Sequence, residues 1–207
     1  AIAWPDLAIV SHVDQDHSGG LHRIIGDLPA ARLVSGTPRE LQSRFELERQ
    51  VRSCHGYPDW RWDGVEFSFL PSSGDWHSTN NRSCVLLING RHRLLLPGDI
   101  EISRESRLVA EHGSRLEADL LVVPHHGSAT SSSVGFVERV APRHVVYTLA
   151  RGNRWGFPSP AVVARYQALA ADQLRSDRDG AITIDSNADG LSIRSERGRL
   201  ERIWRRW

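Results

Sequence analysis

The chain has 207 residues, of which 40% are apolar and 25% charged, a composition typical of an ordinary globular domain. That length suits one domain with a sizeable core, and no apolar run approaches the ~20 residues that a membrane-spanning helix needs. All 26 basic residues are arginine, yet the net charge is only +1, so any nucleic-acid-binding surface must be local. We expect a single domain over residues 1–207, ending in an arginine-rich tail at about 194–207.

The predicted elements of the first half begin with alternating strands and helices. We predict a strand at 7–10, a loop and helix over 16–28, a strand at 31–34 and a helix around 39–52. From residue 60 to 96 the pattern becomes β, with strands at 65–69, 85–88 and 94–96. Asn89-Gly90 between the last two strands is typical of a tight hairpin turn.

The second half returns to alternation. We predict a helix at 102–112, a strand at 120–123, a helix at 134–140, a strand at 145–149, a helix at 160–171 and closing strands at 181–184 and 191–193. This order predicts an α/β layered domain in which strands are sandwiched between helices, without an internal domain boundary.

A dense group of possible metal ligands follows the first predicted strand. His12, Asp14, Asp16 and His17 lie within six residues, and the glycines after them allow a sharp turn before the next helix. Burying several carboxylates together without a cation is costly because like charges repel. The group therefore predicts metal binding rather than surface decoration.

Two later strands also end in possible ligands. Asp99 follows strand 94–96 after a Pro-Gly pair, whereas Glu101 is expected to point away and to act at the start of the next helix. The run Pro124-His125-His126-Gly127-Ser128 follows strand 120–123. A strand that delivers two histidines into a Gly-Ser loop suits metal or phosphate binding.

These motifs resemble those of a known family. The segment 11–20 resembles the HxHxDH metal motif of the metallo-β-lactamase superfamily, with Asp14 in place of the second histidine. With its Gly-Gly pair and the Pro-His-His-Gly-Ser run, it is similar to the C-terminal hydrolase domain of the ComEC family of competence DNA-uptake channel proteins. The resemblance covers residues 5–184. It implies an αββα sandwich, and we expect this sequence to lack the first β-hairpin, which normally precedes the metal-motif strand.

The resemblance also implies a centre with two divalent ions. The expected metal ligands are His12, Asp14, Asp16, His17, Asp99 and His125. Asp99 would bridge the two ions, and the expected catalytic residues are Asp16, Asp99 and His126, with His126 facing the substrate. Because a carboxylate replaces a histidine, the ligand set is harder, which favours Mn²⁺ and leaves Zn²⁺ or Mg²⁺ possible.

Four polar side chains are expected to bind substrate: Asn81, Ser83, Ser128 and Asn153. The first two occupy the place where most superfamily members carry a third motif with histidine, and ComEC-like domains likewise have Asn and Ser there.

The loop 152–158 resembles the family's Asn-Arg-Tyr-Gly-His-Pro loop. Trp155 replaces the tyrosine and Phe157 replaces the histidine, whose role would pass to His77 or His126. The two aromatic side chains either pack on the core or form a stacking platform for a nucleobase.

The resemblance implies a metal-dependent deoxyribonuclease that degrades the non-transported strand during DNA uptake. Its expected partners are DNA, above all single-stranded DNA, and a membrane channel in the same polypeptide, with no organic cofactor. The domain would lie on the periplasmic or extracellular side of an inner membrane. A hydrolase of small phosphodiesters, lactones or esters and an inactive DNA-binding module are the alternatives. Cys54 and Cys84 form either one disulfide in an oxidising compartment or two buried thiols.

Overall fold

The computed structural model describes residues 5–24 and 32–197. The end of the helix predicted over 16–28 and most of the arginine-rich tail lie outside these residues. The described strands are β1 (Leu7–Val10), β2 (Arg32–Ser35), β3 (Val51–Ser53), β4 (Trp60–Trp62), β5 (Val65–Phe69), β6 (Leu86–Asn89), β7 (Arg93–Leu96), β8 (Leu120–Val122), β9 (His144–Tyr147), β10 (Asp172–Arg175), β11 (Ile182–Asn187) and β12 (Gly190–Ser195). The described helices are α1 (Gln15–Ser18), α2 (Leu21–Ile24), α3 (Pro38–Arg44), α4 (Ile102–His112), α5 (Val134–Val140), α6 (Pro160–Ala168) and α7 (Ser176–Asp179).

The strands form two facing sheets and a separate hairpin. The first sheet has the order β1-β2-β3 and is parallel. The second has the order β10-β9-β8-β7-β6-β5-β4, with β7 to β10 parallel and β4 to β7 antiparallel. Within residues 5–24 and 32–197, strands β11 and β12 pair only with each other.

Three apolar clusters define four layers. One lies between the first sheet and its helices and includes Val10, Leu21, Leu33, Leu41 and Val51. A second lies between the two sheets and includes Val34, Phe69 and Leu86. The third joins the larger sheet to α4, α5 and α6 and includes Leu95, Leu108, Leu121, Phe136, Val145 and Tyr166. The order helix, sheet, sheet, helix confirms the αββα sandwich, while the missing first hairpin stays a prediction.

The helix predicted around 39–52 is wrong in extent, and strands β3 and β10 were not predicted. The helix expected around 39–52 ends at Arg44, and Val51–Ser53 instead pairs with β2 as a parallel strand. Glu46 adopts a positive φ of 49°, which stops the helix, and Val51 is buried between the sheet and α3. Strand β10 was missed because Asp172–Arg175 is a polar edge strand with one neighbour, so its sequence lacks an apolar pattern.

The topology brings the candidate residues to one edge of the sandwich. Strands β7, β8 and β9 are parallel, so the segments that follow them, containing Asp99, His126 and the 148–157 loop, start at the same edge. Strand β1 delivers His12 beside them, because the Ser11 carbonyl accepts hydrogen bonds from the amides of Gly36 and Cys84. Among the residues that the structure describes, no helix is long and apolar enough to cross a membrane.

Candidate metal centre

Four side chains from three different segments meet at this edge. Asp16, His17, Asp99 and His126 each offer one ligand atom, and these atoms lie within 4.8 Å of one another. His17 Nε2 is 3.1 Å from an Asp99 oxygen. His126 Nε2 is 3.2 Å from Asp16 and 3.5 Å from Asp99. Asp99 is buried, so its carboxylate lies at the base of the cluster and Asp16 at its exposed rim.

The two histidines of the cluster present the same nitrogen to it. His126 Nδ1 donates to the Thr148 carbonyl at 2.7 Å, which leaves its Nε2 with a lone pair directed at the cluster. His17 Nδ1 contacts the Ser11 hydroxyl at 2.9 Å, and its Nε2 lies 3.2 Å from that of His126. A lone pair facing two carboxylates is stable only with a cation or a proton between them. The donor set therefore fits a divalent metal ion.

His12 provides an independent indication of a cation site. Its side chain has no solvent exposure, and its Nε2 has no hydrogen-bond partner. The nearest carboxylate, Asp14, lies 3.6 Å from that nitrogen, while Nδ1 is 3.2 Å from the Ser83 hydroxyl. An unpaired buried polar atom costs about 1–3 kcal/mol, and a metal ion at Nε2 would remove that cost. Residues His12 and Asp14 therefore fit a second metal position beside the four-residue cluster.

The neighbouring histidine, His125, lies outside the four-residue cluster. Its Nε2 is 4.0 Å from Asp99, and its Nδ1 lies 3.3 Å from the Thr130 hydroxyl and 3.7 Å from Glu101. Both His125 and His126 have positive φ, which turns their side chains in different directions from one tight turn. From the sequence, His125 is the expected ligand and His126 the expected substrate-facing residue. In the structure it is His126 whose Nε2 lies in the four-residue cluster.

Burial and neighbouring charges shift the pKa values of three side chains in the cluster region, His12, His17 and Asp99. Burial and the neighbouring His17 lower the pKa of His12, so its imidazole is held neutral. Burial opposes the charged form of His17, but its hydrogen bond to Asp99 and the nearby carboxylates raise its pKa overall. Burial likewise acts against Asp99, but His17 and His126 lower the pKa of the carboxyl on balance. These directions favour an ionised Asp99 and a neutral His12, the states that bind a cation, and a protonated His17, whose proton a metal ion would displace.

A cavity of about 1000 Å³ opens from this cluster. Its walls come from both sheets and from the loop after β9. The lining includes Asp16, His17, His126, Asn153, Arg154, Trp155 and Phe157. His77, considered from the sequence as a replacement catalytic residue, is 90% exposed and is not part of this wall.

The comparison with family models agrees with the fold and the cluster. The sequence model of the metallo-β-lactamase superfamily matches residues 5–147. The chain belongs to the metallo-β-lactamase superfamily. Among solved structures of that fold, the diiron β-hydroxylase CmlA from Streptomyces venezuelae has a TM-score of 0.53 and 14% identity, over 84% of this chain and 44% of that chain.

The curated relatives that are similar to the chain include a competence protein. Competence protein ComA of Neisseria gonorrhoeae is 34% identical, covering 96% of this chain and 28% of the relative. Recombination protein 2 of Haemophilus influenzae is 32% identical, covering 91% of this chain and 23% of the relative. ComE operon protein 3 of Bacillus subtilis is 28% identical, covering 86% and 24%. These matches confirm the resemblance to the ComEC family, and the chain spans about a quarter of the length of these relatives.

Ser83 lies at the superfamily's third-motif position and contacts two candidate metal ligands, His12 and Asp99. Ser83 is buried, and its hydroxyl accepts the Asp99 amide at 3.1 Å while it contacts His12. Gly98 has a φ of +61°, and a Cβ there would lie 2.7 Å from that of Ser83, so only glycine permits this approach. Ser83 thus fixes the orientation of two candidate metal ligands. This positioning role is separate from the substrate contact that the sequence predicts for Ser83.

The other expected substrate-binding residues also make internal contacts. Asn81 accepts the Glu101 amide at 2.8 Å, and the Ser128 hydroxyl lies 3.0 Å from that of Thr130. The Asn153 amide bonds both the N–H and the carbonyl of Phe157. Each of these side chains shapes a loop beside the metal centre, and their contacts with substrate stay predictions.

Sequence reasoning missed two buried charges on α4. Arg104 has no solvent exposure and donates to the carbonyls of Asn81 and Ser83 at 2.6 and 2.5 Å. Glu105 is equally buried and accepts the amides of Ser132 and Ser133 at 2.5 and 2.7 Å. Both residues lie in a segment whose charge predicts a solvent-facing helix, so the sequence offered no sign of them. Together they fix the two segments that flank the metal centre.

The two cysteines form a disulfide. Cys54, just after β3, is bonded to Cys84, and their Cα atoms are 5.8 Å apart. The bond joins the two sheets immediately beside Ser83. This resolves the alternatives left open by the sequence in favour of a covalent pair.

Proposed function

We propose that this superfamily member is a metal-dependent phosphodiesterase that cuts DNA. The carrying observation is the convergence of His17 and His126, each with its Nδ1 fixed by a neighbour, on the buried carboxylate of Asp99. This arrangement lies at the mouth of a cavity large enough for a nucleotide or more, at the upper end of the ~300–1,000 Å³ typical of ligand sites.

Two ions are proposed, held by different residues. Asp16, His17, Asp99 and His126 would hold one, and His12 with Asp14 would hold the other. Divalent ions there would supply Lewis acids that polarise a phosphoryl oxygen and stabilise charge on the attacking and leaving oxygens. The three carboxylates favour Mn²⁺, while the imidazoles also suit Zn²⁺.

The remaining side chains would bind and orient the substrate. Asp16 lies at the exposed rim, where its carboxylate can accept a proton from water entering the cavity. His125 is proposed to face the substrate in the role first given to His126. The centroid of its ring lies 5.9 Å from that of Phe157, which is a residue of the cavity wall.

The names of the relatives and the disulfide support a cellular setting. Because competence proteins are named among the relatives, we propose that the DNA is taken up in transformation and that the domain degrades its non-transported strand. Disulfides persist in oxidising compartments. The Cys54–Cys84 bond therefore supports a position on the periplasmic or extracellular side, attached to a membrane channel in the same polypeptide.

A hydrolase of small phosphodiesters or esters is the second candidate. The cavity wall includes Ile9, Leu86, Leu96, Val122 and Leu149, an apolar lining that suits a small organic ligand. An inactive binding module is disfavoured because a fold without a metal ion has no need to bring these carboxylates and imidazoles together.

The test is cleavage of end-labelled single- and double-stranded DNA after chelation, with Mn²⁺, Mg²⁺ or Zn²⁺ restored. Asp99→Asn should lower the cleavage rate by at least about 100-fold, since it removes a charge from the metal centre. Asp75→Asn is the matched control, because that carboxylate is 92% exposed and outside the cavity. Cleavage that survives in Asp99→Asn would contradict the proposal, and turnover of small phosphodiesters without DNA cleavage would favour the second candidate.

A further inference from the structure

The loop after β9 exposes a large aromatic ring beside the metal centre. Trp155 is 66% exposed, more than the other exposed large hydrophobic side chains among the described residues. The Arg154 guanidinium lies over its ring, 4.6 Å from the centroid. Because Arg154 covers one face of the indole, the exposure comes mainly from the opposite face and the edge.

The loop is built to hold this ring in place. The Asn153 side chain accepts the Phe157 amide at 2.9 Å and donates to its carbonyl at 3.0 Å, which closes the turn containing Trp155. The Phe157 ring packs edge-on against His125. A surface fixed before binding loses less entropy when a ligand is ordered on it.

The same cavity joins this ring to the proposed catalytic centre. Trp155 and Arg154 line it together with Asp16, His17 and His126. A chain with a phosphodiester at the metal centre would therefore pass along the wall that contains the indole. The neighbouring cation suits a polyanion, since arginine binds phosphate oxygens through fixed N–H donors.

We propose that the exposed face of Trp155 is a stacking subsite for an unpaired nucleobase of the strand whose phosphodiester lies at the metal centre. This rests on the proposed nuclease function and names its substrate class as single-stranded DNA or an unpaired end. A base within a duplex is already stacked on both faces, so only an unpaired base is free to cover the indole. Arg154 packs on the opposite face of the indole and places a positive charge next to the phosphate backbone of the bound strand.

The experiment compares a short thymidine oligomer with an abasic oligomer of the same length, which keeps the phosphates and lacks the bases. Binding to the 207-residue protein is followed by fluorescence anisotropy in chelator and again with Ca²⁺. One stacked base contributes about 1–3 kcal/mol, so the thymidine oligomer should bind about 5–150-fold more tightly. Trp155→Ala should abolish this preference without weakening abasic binding, and Trp155→Tyr should retain most of it.

Trp62→Ala is the matched control, since Trp62 is a second exposed tryptophan, 46% accessible, that does not line the cavity. It should leave the preference unchanged. Equal affinity of the unsubstituted protein for the two oligomers, or an undiminished preference in Trp155→Ala, would overturn the subsite and leave the nuclease proposal standing. Absence of binding to either oligomer would overturn the subsite and DNA as the substrate together. If the unsubstituted protein prefers the thymidine oligomer but shows no metal-dependent cleavage of DNA, the nuclease proposal alone is contradicted.

Discussion

The segments 81–83 and 131–133 flank the metal centre, and adjacent residues of α4 hold them in opposite ways. Arg104 binds the first by donating to carbonyl oxygens, and Glu105 binds the second by accepting amide hydrogens. Burial lowers the pKa of Arg104 to about 10, so it stays charged at neutral pH. Burial raises the pKa of Glu105, although the amides it binds and nearby Arg165 act against this. Backbone groups thus provide hydrogen-bond partners for one buried arginine and one buried glutamate on the same helix turn.

The two segments differ in how directly they contact the residues of the metal centre. The first contains Ser83, whose hydroxyl contacts both His12 and Asp99. The second reaches the metal centre less directly, since the Ser131 hydroxyl bonds the carbonyl of Pro124, just before the two histidines. We infer that loss of the Arg104 hydrogen bonds lowers the affinity for metal ions, whereas loss of the Glu105 hydrogen bonds changes mainly the free energy of unfolding.

The largest expected effect comes from the disulfide bond of Cys84, the residue directly after the first segment. Replacing Cys54 and Cys84 by serine opens a loop closed across 30 residues. The chain-entropy account of disulfides predicts a loss of about 3–4 kcal/mol in the free energy of unfolding. Urea denaturation of the oxidised protein and of the double variant measures this, and equal midpoints would show that the bond does not stabilise the fold.

Arg104→Met should have the next largest effect. It leaves the carbonyls of Asn81 and Ser83 buried without donors, which costs about 3 kcal/mol in unfolding free energy. Because Ser83 then loses its support, Mn²⁺ affinity should fall about 10–100-fold. Arg107→Met, an exposed site on the same helix, is the control and should change neither quantity. Unchanged Mn²⁺ affinity in a folded Arg104→Met protein would contradict a positioning role.

The smallest effect is a pH dependence from Glu105. Its raised folded-state pKa means that the folded protein binds more protons than the unfolded chain, from the ordinary glutamate pKa of about 4.3 up to the folded value. Stability should therefore fall as pH rises through that window, by about 1.4 kcal/mol for each unit between the two pKa values.

Glu105→Gln should flatten this slope, so its stability relative to the unsubstituted protein should improve as the pH rises from about 4 through the folded-state pKa of Glu105. Thermal or urea unfolding over that range measures the slope. Glu138→Gln, on the exposed side of α5, provides the comparison and should keep it. A stability difference that does not vary with pH in Glu105→Gln would show that Glu105 is not the titrating group.

The sequence predicted the ligand-bearing segments because strand ends leave a local pattern. His12, Asp16, His17 and Asp99 follow apolar strands, and the structure brings their side chains to one edge. The choice between His125 and His126 depends on two left-handed backbone conformations, which the sequence does not reveal.

Other features depend on tertiary contacts alone. Strand β3 forms where a polar stretch predicted helix, because Val51 pairs with β2 and is buried against α3. Arg104 and Glu105 resemble solvent-facing residues of a charged helix, and only the packed backbone around them identifies them as buried. A pattern of residue types records which side of an element is apolar, but not which loops will solvate a buried charge.

The most direct test of the metal centre is Mn²⁺ titration of the chelated protein by calorimetry, comparing His126→Ala with His125→Ala. The geometry predicts that His126→Ala lowers the affinity by at least about 100-fold, because it removes a ligand whose Nε2 faces Asp16 and Asp99. His125→Ala should lower it by less than about 10-fold. A larger loss in His125→Ala than in His126→Ala, or no Mn²⁺ binding by the unsubstituted protein, would contradict the four-residue cluster as the metal centre.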